Sequence, residues 1–258
     1  MPDSASFSCV NLDNGHADPR VFFYKVMQKE KNNLPPQKIA VLIDGGFFIK
    51  RFNIQYNKNG KMTAEDMANA MYTMAHLHVG KNNVLYRIFY YDCKPLEKKF
   101  HNPISHKVVD FSKTKECLFR KTLFEELKKK RKVALRLGTV KDNRQWQIYS
   151  AKVKELLNGT TDIHSLTEND VYLNIRQKGI DMKIGVDIAS LSLKRFVDTI
   201  VLFSGDADFV PAAKLARREG VDFILDPMNA NVDPQLFEHI DGMKSVTPPG
   251  FRKPAKKK

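Results

Sequence analysis

Short apolar runs that alternate with helical stretches are the feature that most constrains this fold. The run KIAVLID at residues 38–44 is apolar almost throughout and predicts a strand buried on both faces. Comparable runs lie at Val84–Tyr91, Thr199–Phe203 and Val221–Leu225. Their alternation with helices predicts βαβ units and therefore an α/β fold. We expect a mostly parallel central sheet with helices on both faces.

Apolar spacing and capping residues predict the helices between these strands. One helix begins at Thr63 and runs to about Leu77, and its methionines 67, 71 and 74 form a stripe typical of a core. The remaining predictions are a helix over 118–127 that finishes in the basic run KKKRK, strands at Val133–Val140 and Trp146–Tyr149, and helices at Ile180–Val197 and Phe209–Glu219.

The 258 residues predict one large domain with additions at its ends. Residues 1–36 are polar, end in two prolines and are interpreted as an N-terminal extension. The domain itself is expected over 37–246. Residues 247–258 carry a basic run with little apolar surface, which predicts a basic C-terminal tail.

The charge balance favours a polyanionic partner. Lysine and arginine number 43 against 29 acidic residues, which leaves a net charge of +14. Such a field attracts nucleic acid. The apolar runs stop well short of the roughly 20 residues of a membrane span, and no signal-peptide pattern is visible. Cys9, Cys93 and Cys117 have neither disulfide nor zinc-site spacing. We therefore predict a cytoplasmic protein without a membrane partner.

Four aspartates follow the predicted strands directly. Asp44 ends the first strand, Asp92 ends the second, and Asp206 and Asp208 come after Thr199–Phe203. Sites of parallel sheets form at the carboxyl ends of strands, so these side chains are expected to converge. Converging carboxylates repel unless cations neutralise them, and they are preferred ligands of Mg²⁺ and Mn²⁺. For any single aspartate, the alternative is a helix N-cap.

The helix before Thr199 adds Asp181 and Asp187. They lie about 120° apart around an ideal helix, so both face one site only if Asp181 precedes the helix, as Gly179 suggests. The alternatives are an N-cap role for Asp181 and an ion pair of Asp187 with Lys183.

Aspartates that hold a divalent metal are typical of phosphodiester hydrolysis, because the metal activates water and stabilises the leaving oxygen. The sequence has no GxSxG, HExxH, GxxxxGK[ST] or GxGxxG pattern. We therefore predict Mg²⁺ or Mn²⁺ as the cofactor and no nucleotide cofactor.

Three segments resemble the NYN domain, a PIN-like nuclease group that includes the LabA-like proteins. They are IAVLIDGGFF at 39–48, KGIDMKIGVD at 178–187 and LFSGDADF at 202–209. The resemblance implies a PIN-like three-layer sandwich and a metal-dependent ribonuclease. It implies catalytic roles for Asp44, Asp187 and Asp206, and metal ligands at Asp44, Asp181, Asp187, Asp206 and Asp208. Asp92 matches a family position to which we assign no role.

Basic residues suggest where RNA phosphates bind. The segment 94–140 has fourteen lysines and arginines against five acidic residues. A phosphate path is predicted through Lys50, Arg51, Lys128, Lys129, Lys130, Arg131 and Lys132. The alternative for KKKRK is a solvated helix end.

The leading hypothesis is thus a Mg²⁺- or Mn²⁺-dependent RNA endonuclease, and a homodimer is compatible with the sequence. The second hypothesis is a catalytically inactive NYN-type module that binds nucleic acid or a regulatory partner. A phosphatase or nucleotide hydrolase is a third class, but the first strand ends in Asp44-Gly45-Gly46 and lacks the nucleophilic DxD pattern.

Overall fold

A seven-stranded sheet organises this protein in the computed structural model, which describes residues 35–251. The strands are β1 (Lys38–Asp44), β2 (Val84–Cys93), β3 (Lys99–His101), β4 (Val108–Asp110), β5 (Val133–Ile148), β6 (Val171–Lys178), β7 (Thr199–Phe203), β8 (Asp222–Asp226) and β9 (Gly242–Met243). The helices are α1 (Gly45–Gln55), α2 (Ala64–Val79), α3 (Lys115–Lys128), α4 (Ser150–Leu157), α5 (Ile180–Leu193), α6 (Val210–Arg218) and α7 (Pro234–Phe237).

The strand order is β6-β5-β2-β1-β7-β8-β9, and β3 pairs separately with β4. Within the seven-stranded sheet, only β6 runs antiparallel to its neighbour, and the other six strands are parallel. Asp44 at the end of β1 lies beside Tyr91 of β2, and Ile43 lies beside Phe203 at the end of β7. These three strands therefore end at one edge of the sheet, called the carboxyl edge below. The predicted α/β class with a mostly parallel sheet is confirmed.

The core has two layers, one on each face of the sheet. Alternate residues of β1 enter different layers: Ile39, Val41 and Ile43 join one cluster, and Ala40 and Leu42 join the other. Helices α1, α2 and α3 cover the first face, and α5 and α6 cover the second. The arrangement is a three-layer sandwich, consistent with the PIN-like architecture.

Local chemistry explains where α2 begins. The Thr63 side chain accepts a hydrogen bond from the Asp66 amide at 3.1 Å, and the Asp66 carboxylate accepts one from the Thr63 amide at 2.9 Å. This capping box satisfies amides that the helix leaves unpaired. The methionines 67, 71 and 74 are fully buried against the sheet, so the predicted core stripe is confirmed.

Helix α1 is absent from the sequence prediction, which treated Gly45 only as the end of a strand. The helix starts directly after Asp44, whose carboxylate caps it. A Cβ at Gly45 would lie 2.7 Å from both the Tyr90 ring and the Tyr91 carbonyl oxygen. Glycine is therefore required there by close packing against β2.

Strand β5 is one long strand instead of the two that were predicted. Its first part pairs in parallel with β2 as far as Gly138, and residues from Thr139 onward pair antiparallel with β6. Because β5 continues beyond the end of β2, residues 139–148 and β6 form a two-stranded ribbon that projects past the carboxyl edge. The β3–β4 hairpin also follows the carboxyl end of β2.

The expected extension over 1–34 and the basic tail from residue 252 lie outside the described residues. From Gln37 the chain forms one compact unit. No helix among residues 35–251 combines the length and apolar character needed to cross a membrane.

Candidate active site

Asp44 connects β1 to α1 at the carboxyl edge. Its Oδ1 accepts a hydrogen bond from the Phe47 amide at 3.1 Å, so it caps the helix. Burial raises the pKa of Asp44 from 3.8 to about 6, and repulsion from Asp181 and Asp92 adds to the rise. Asp44 can therefore cap α1 and at the same time belong to an acidic site.

Asp181 lies in the first turn of α5, one residue after the helix begins at Ile180. Gly179 precedes the helix in the left-handed region with φ of 79°. Burial raises the pKa of Asp181, followed by repulsion from Asp206 and Asp208. The start of α5 is therefore close enough to the loop after β7 for the charges of the two segments to interact.

Asp206 and Asp208 lie in that loop and are exposed. Asp206 Oδ1 accepts a hydrogen bond from the Asp208 amide at 3.0 Å and caps a short 3₁₀ turn, Ala207–Phe209. The buried Phe209 ring anchors the turn in the core. Together with Asp44 and Asp181, these two residues form a series of mutually repelling side chains, called the carboxylate site below.

Asp92 has a role that the sequence did not assign. It is fully buried, and the Arg120 Nη1 atom of α3 contacts its two carboxylate oxygens at 2.5 and 2.6 Å. The Cys93 amide donates a further bond at 2.7 Å. Burial raises the pKa of Asp92, although the Arg120 charge acts to lower it. Asp92 is thus a neutralised neighbour of Asp44.

Asp187 has partners other than the carboxylate site. The Tyr91 hydroxyl donates to its Oδ2 at 2.7 Å, and Arg136 Nε donates to the same atom at 3.0 Å. The expectation that Asp181 precedes the helix was wrong, because α5 already includes it. Helical geometry therefore separates the two side chains by about 120°. The alternative pairing with Lys183 is replaced by the pair with Arg136.

The carboxylate site offers the donor type that Mg²⁺ and Mn²⁺ prefer. Burial is the main cause that raises the pKa values of Asp44 and Asp181, and repulsion among the carboxylates contributes to both. Within residues 35–251, however, no three acidic, histidine or cysteine side chains are close enough together to hold an ion as they stand. These residues therefore fit a divalent cation by charge and donor type but do not form a ready-made site.

Two predicted phosphate-binding residues lie on α1. Lys50 is exposed. Arg51 donates to the Met228 carbonyl oxygen through Nε at 3.3 Å and Nη2 at 2.9 Å. Met228 and Asn229 have φ of 47° and 53°, in the left-handed region. Arg51 therefore helps to hold a strained turn after β8.

The run KKKRK lies at the other edge of the sheet from the carboxylate site. It immediately precedes Val133, which begins β5 beside Ile88, several residues before β2 ends. Lys128 and Lys129 each form an ion pair at 2.6 Å with Glu125 and Glu126. Lys130 bonds the Asn69 side chain and Lys132 bonds the Leu85 carbonyl oxygen, while Arg131 is exposed. Helix α3 ends at Lys128, so most of the run lies beyond the helix that was predicted to contain it.

Sequence reasoning missed a buried pair at the end of β8. Asp226 accepts a bond from the Met228 amide at 2.8 Å, and its other oxygen lies 2.8 Å from His78 Nε2 of α2. The rule that singled out the other strand-end aspartates would have found Asp226. No sequence signal indicated that His78 is its partner.

The parallel sheet and the acidic residues at its carboxyl edge define an α/β protein with a candidate site at the strand ends. The sequence matches the NYN domain over residues 104–232, which is half of the chain. The chain belongs to the NYN domain family, which is part of the PIN-like nuclease superfamily. The match includes Asp181, Asp187, Asp206 and Asp208 and leaves Asp44 outside.

The chain also resembles the crystal structure of a protein of unknown function from Vibrio parahaemolyticus. The TM-score is 0.43 at 15% identity, and the alignment covers 82% of this chain and 93% of that one. No curated protein matches the chain significantly.

We expect Asp44→Asn to stabilise the metal-free protein at neutral pH. The folded pKa of about 6 exceeds the ordinary value of 3.8, so the folded state holds this proton more tightly than the unfolded chain. The contribution of protonated Asp44 to the unfolding free energy is complete below about pH 4. It is lost as the pH rises through about 6, a difference of about 1–3 kcal/mol. Asparagine keeps a capping oxygen without the charge.

Urea unfolding of both proteins in EDTA, from pH 4.5 to 7.5, measures this difference. The advantage of Asp44→Asn in unfolding free energy should grow with pH up to about 6.5 and then level off. If the variant is less stable than the wild type at pH 7, or if their difference in unfolding free energy does not change with pH, Asp44 serves the fold as an ionised cap.

Proposed function

We propose that this protein is a metal-dependent ribonuclease that hydrolyses RNA at the carboxylate site. The observation that carries the proposal is the series of mutually repelling aspartates at the carboxyl edge, where burial first and repulsion second raise the pKa of Asp44 and Asp181. Such an arrangement costs stability, which is typical of functional sites. Membership in a family of the PIN-like nuclease superfamily supports the same reaction class.

In this proposal, Asp44, Asp181, Asp206 and Asp208 would hold Mg²⁺ or Mn²⁺. A bound divalent ion would activate water and stabilise charge on the leaving oxygen of a phosphodiester. The chain's own contribution is to hold in place the carboxylate oxygens that would bind the ion. Asp44 and Asp206 are held by their capping bonds to the amides of Phe47 and Asp208.

Asp187 has a different role in this proposal. Its carboxylate accepts bonds from Tyr91 and Arg136, which fixes the direction of the Arg136 side chain. A guanidinium held in this way suits a phosphate of the RNA backbone. We therefore propose that Asp187 acts through Arg136 and not as a metal ligand.

The proposed RNA path uses lysines near the carboxyl edge. Helix α3 leads from the carboxyl end of β2 back to the start of β5, so the lysines before it and in its first turn lie on the side of the carboxylate site. Lys94, Lys113 and Lys115 belong to this group and are exposed. Lys128–Lys132 lie at the far end of the same helix, which ends at Lys128.

A module that binds nucleic acid without cleaving it is the second candidate. It is favoured by the finding that, over the described part of the chain, no three potential ligands lie within reach of one ion. Retained binding without cleavage would identify this function.

The proposal predicts RNA cleavage that requires a divalent metal. With labelled single-stranded RNA and Mg²⁺ or Mn²⁺, the wild-type protein should cleave, and EDTA should abolish the reaction. Asp44→Asn and Asp206→Asn should lower the cleavage rate at least about 100-fold, because each removes a charged donor. Asp162→Asn is the matched control, because Asp162 also caps a 3₁₀ turn through the amide two residues on, at 2.7 Å.

Full activity of either site variant would remove that residue from the site. Cleavage that persists in EDTA, or no cleavage with either metal, would contradict the ribonuclease proposal.

The two groups of lysines should differ in their effect on RNA binding. Replacing Lys94, Lys113 and Lys115 together with Gln should reduce the slope of log affinity against log salt by up to about 2, because each lost contact to a single strand removes about 0.7. The matched triple replacement of Lys128, Lys129 and Lys130 should change the slope little, because these residues lie at the other edge and have partners in the chain.

Binding of a non-cleavable RNA at several salt concentrations measures both slopes. A larger change in slope for the Lys128, Lys129 and Lys130 variant would identify KKKRK as the RNA path. It would refute the proposal that RNA binds along the carboxyl edge.

A further inference from the structure

A cleft lined by aromatic rings opens between the β3–β4 hairpin and the ribbon. Its volume is about 650 Å³. The rings that line it are Phe111, Trp146, Tyr149 and Tyr172, and its polar and charged lining includes Asn102, Lys107, Glu116 and Glu168. A cavity of this size is ample for a nucleoside. The described carboxylate site does not use it.

The rings in the cleft are arranged in two groups. Tyr149 and Tyr172 lie with centroids 4.8 Å apart and planes at 34°, and the Tyr172 hydroxyl donates to Gln147 at 2.8 Å. The Phe111 and Trp146 centroids are 6.5 Å apart. Tyr149 is 49% exposed, although a tyrosine ring gains from burial. Such exposed ring faces suit a flat aromatic ligand.

The cleft and the carboxylate site lie towards the same edge of the sheet. A smaller cavity of about 270 Å³ shares Phe111, Glu116 and Ile175 with the cleft and extends to Arg120. Cys93 and Lys94, at and just after the end of β2, also line this smaller cavity, so it opens on the side of the carboxyl edge.

The hairpin has more basic than acidic residues, which favours a polyanion over an apolar peptide, although the cleft lining itself holds Lys107 with Glu116 and Glu168. Between residues 97 and 113 four lysines stand against two acidic residues. Lys107 lies at the cleft, where it pairs with Glu168 at a long 3.6 Å. Aromatic rings beside basic side chains are the usual combination for single-stranded nucleic acid, since bases stack and phosphates pair.

We propose that the cleft stacks one or two unpaired bases of an RNA strand whose backbone runs to the carboxylate site. The inference rests on the proposed ribonuclease function and adds to it a base-stacking site formed by the hairpin and the ribbon. Bases inside a duplex are already stacked on each other and cannot enter the cleft.

Trp146 provides a direct test, because it is the only tryptophan of the chain. A single-stranded 2′-O-methyl oligonucleotide, which resists cleavage, is titrated in EDTA while the tryptophan fluorescence is recorded. We expect saturable quenching by the single strand and little quenching by the duplex of the same sequence at equal concentration.

The variant Tyr149→Ala keeps the fluorescent reporter and removes an exposed ring. It should weaken binding about 5- to 100-fold, the usual effect of losing one stacking platform. Phe237→Ala is the matched control, because Phe237 is similarly exposed at 56% but lies on α7, away from the cleft. Its affinity should equal that of the wild type.

Absence of quenching, equal quenching by the duplex, or an unchanged affinity of Tyr149→Ala would overturn the assignment of the cleft. These results are independent of catalysis, because the titration contains EDTA. A protein that cleaves RNA without quenching would refute the cleft and leave the ribonuclease proposal standing. Quenching without cleavage would support the cleft and refute the ribonuclease.

Discussion

The parallel pairing of β1 with β2 and β7 is the constraint on which the site depends. It brings Asp44 and the loop with Asp206 and Asp208 to one edge of the sheet, and α5 adds Asp181. Both faces of β1 are covered by core side chains, so this strand end cannot move away from its neighbours. The fold thus maintains a repulsion that flexible surface carboxylates would relieve by separating.

The protein neutralises the charge of one aspartate near the carboxyl edge, Asp92, but not the charges of the carboxylate site. Arg120 neutralises Asp92 inside the protein, at a place where an unpaired carboxylate would be very costly. The carboxylate site, by contrast, is left partly open to solvent, where a cation can enter. The same arginine borders the cavity that leads towards the aromatic cleft. One ion pair therefore separates the acidic centre from the surface proposed to hold RNA bases.

The local part of this structure could be predicted from the sequence. Strands β1 and β7 begin and end as predicted, because their apolar runs are bounded by clear polar or glycine residues. Helix α1 could not be predicted in the same way, since it starts with two glycines and depends on the close approach of Gly45 to Tyr90.

The site was less accessible to sequence reasoning. Strand-end position singled out Asp44, Asp206 and Asp208, but the partners of Asp92 and Asp187 come from distant segments, and pairs of that kind leave no periodic pattern. The position of the basic run KKKRK depends on the direction of α3, which only the sheet order determines. The cleft likewise depends on the unforeseen continuation of β5 into the ribbon.

The central claim is that the uncompensated aspartates bind a divalent cation, and calorimetric titration with Mn²⁺ tests it most directly. The account predicts binding at pH 7.5 that weakens as the pH falls through about 6, because the cation must displace the proton of Asp44. Asp44→Asn should weaken binding at least about 10-fold, while Asp162→Asn should bind like the wild type. Absence of binding at millimolar Mn²⁺, or equal affinity of Asp44→Asn and the wild type, would contradict it.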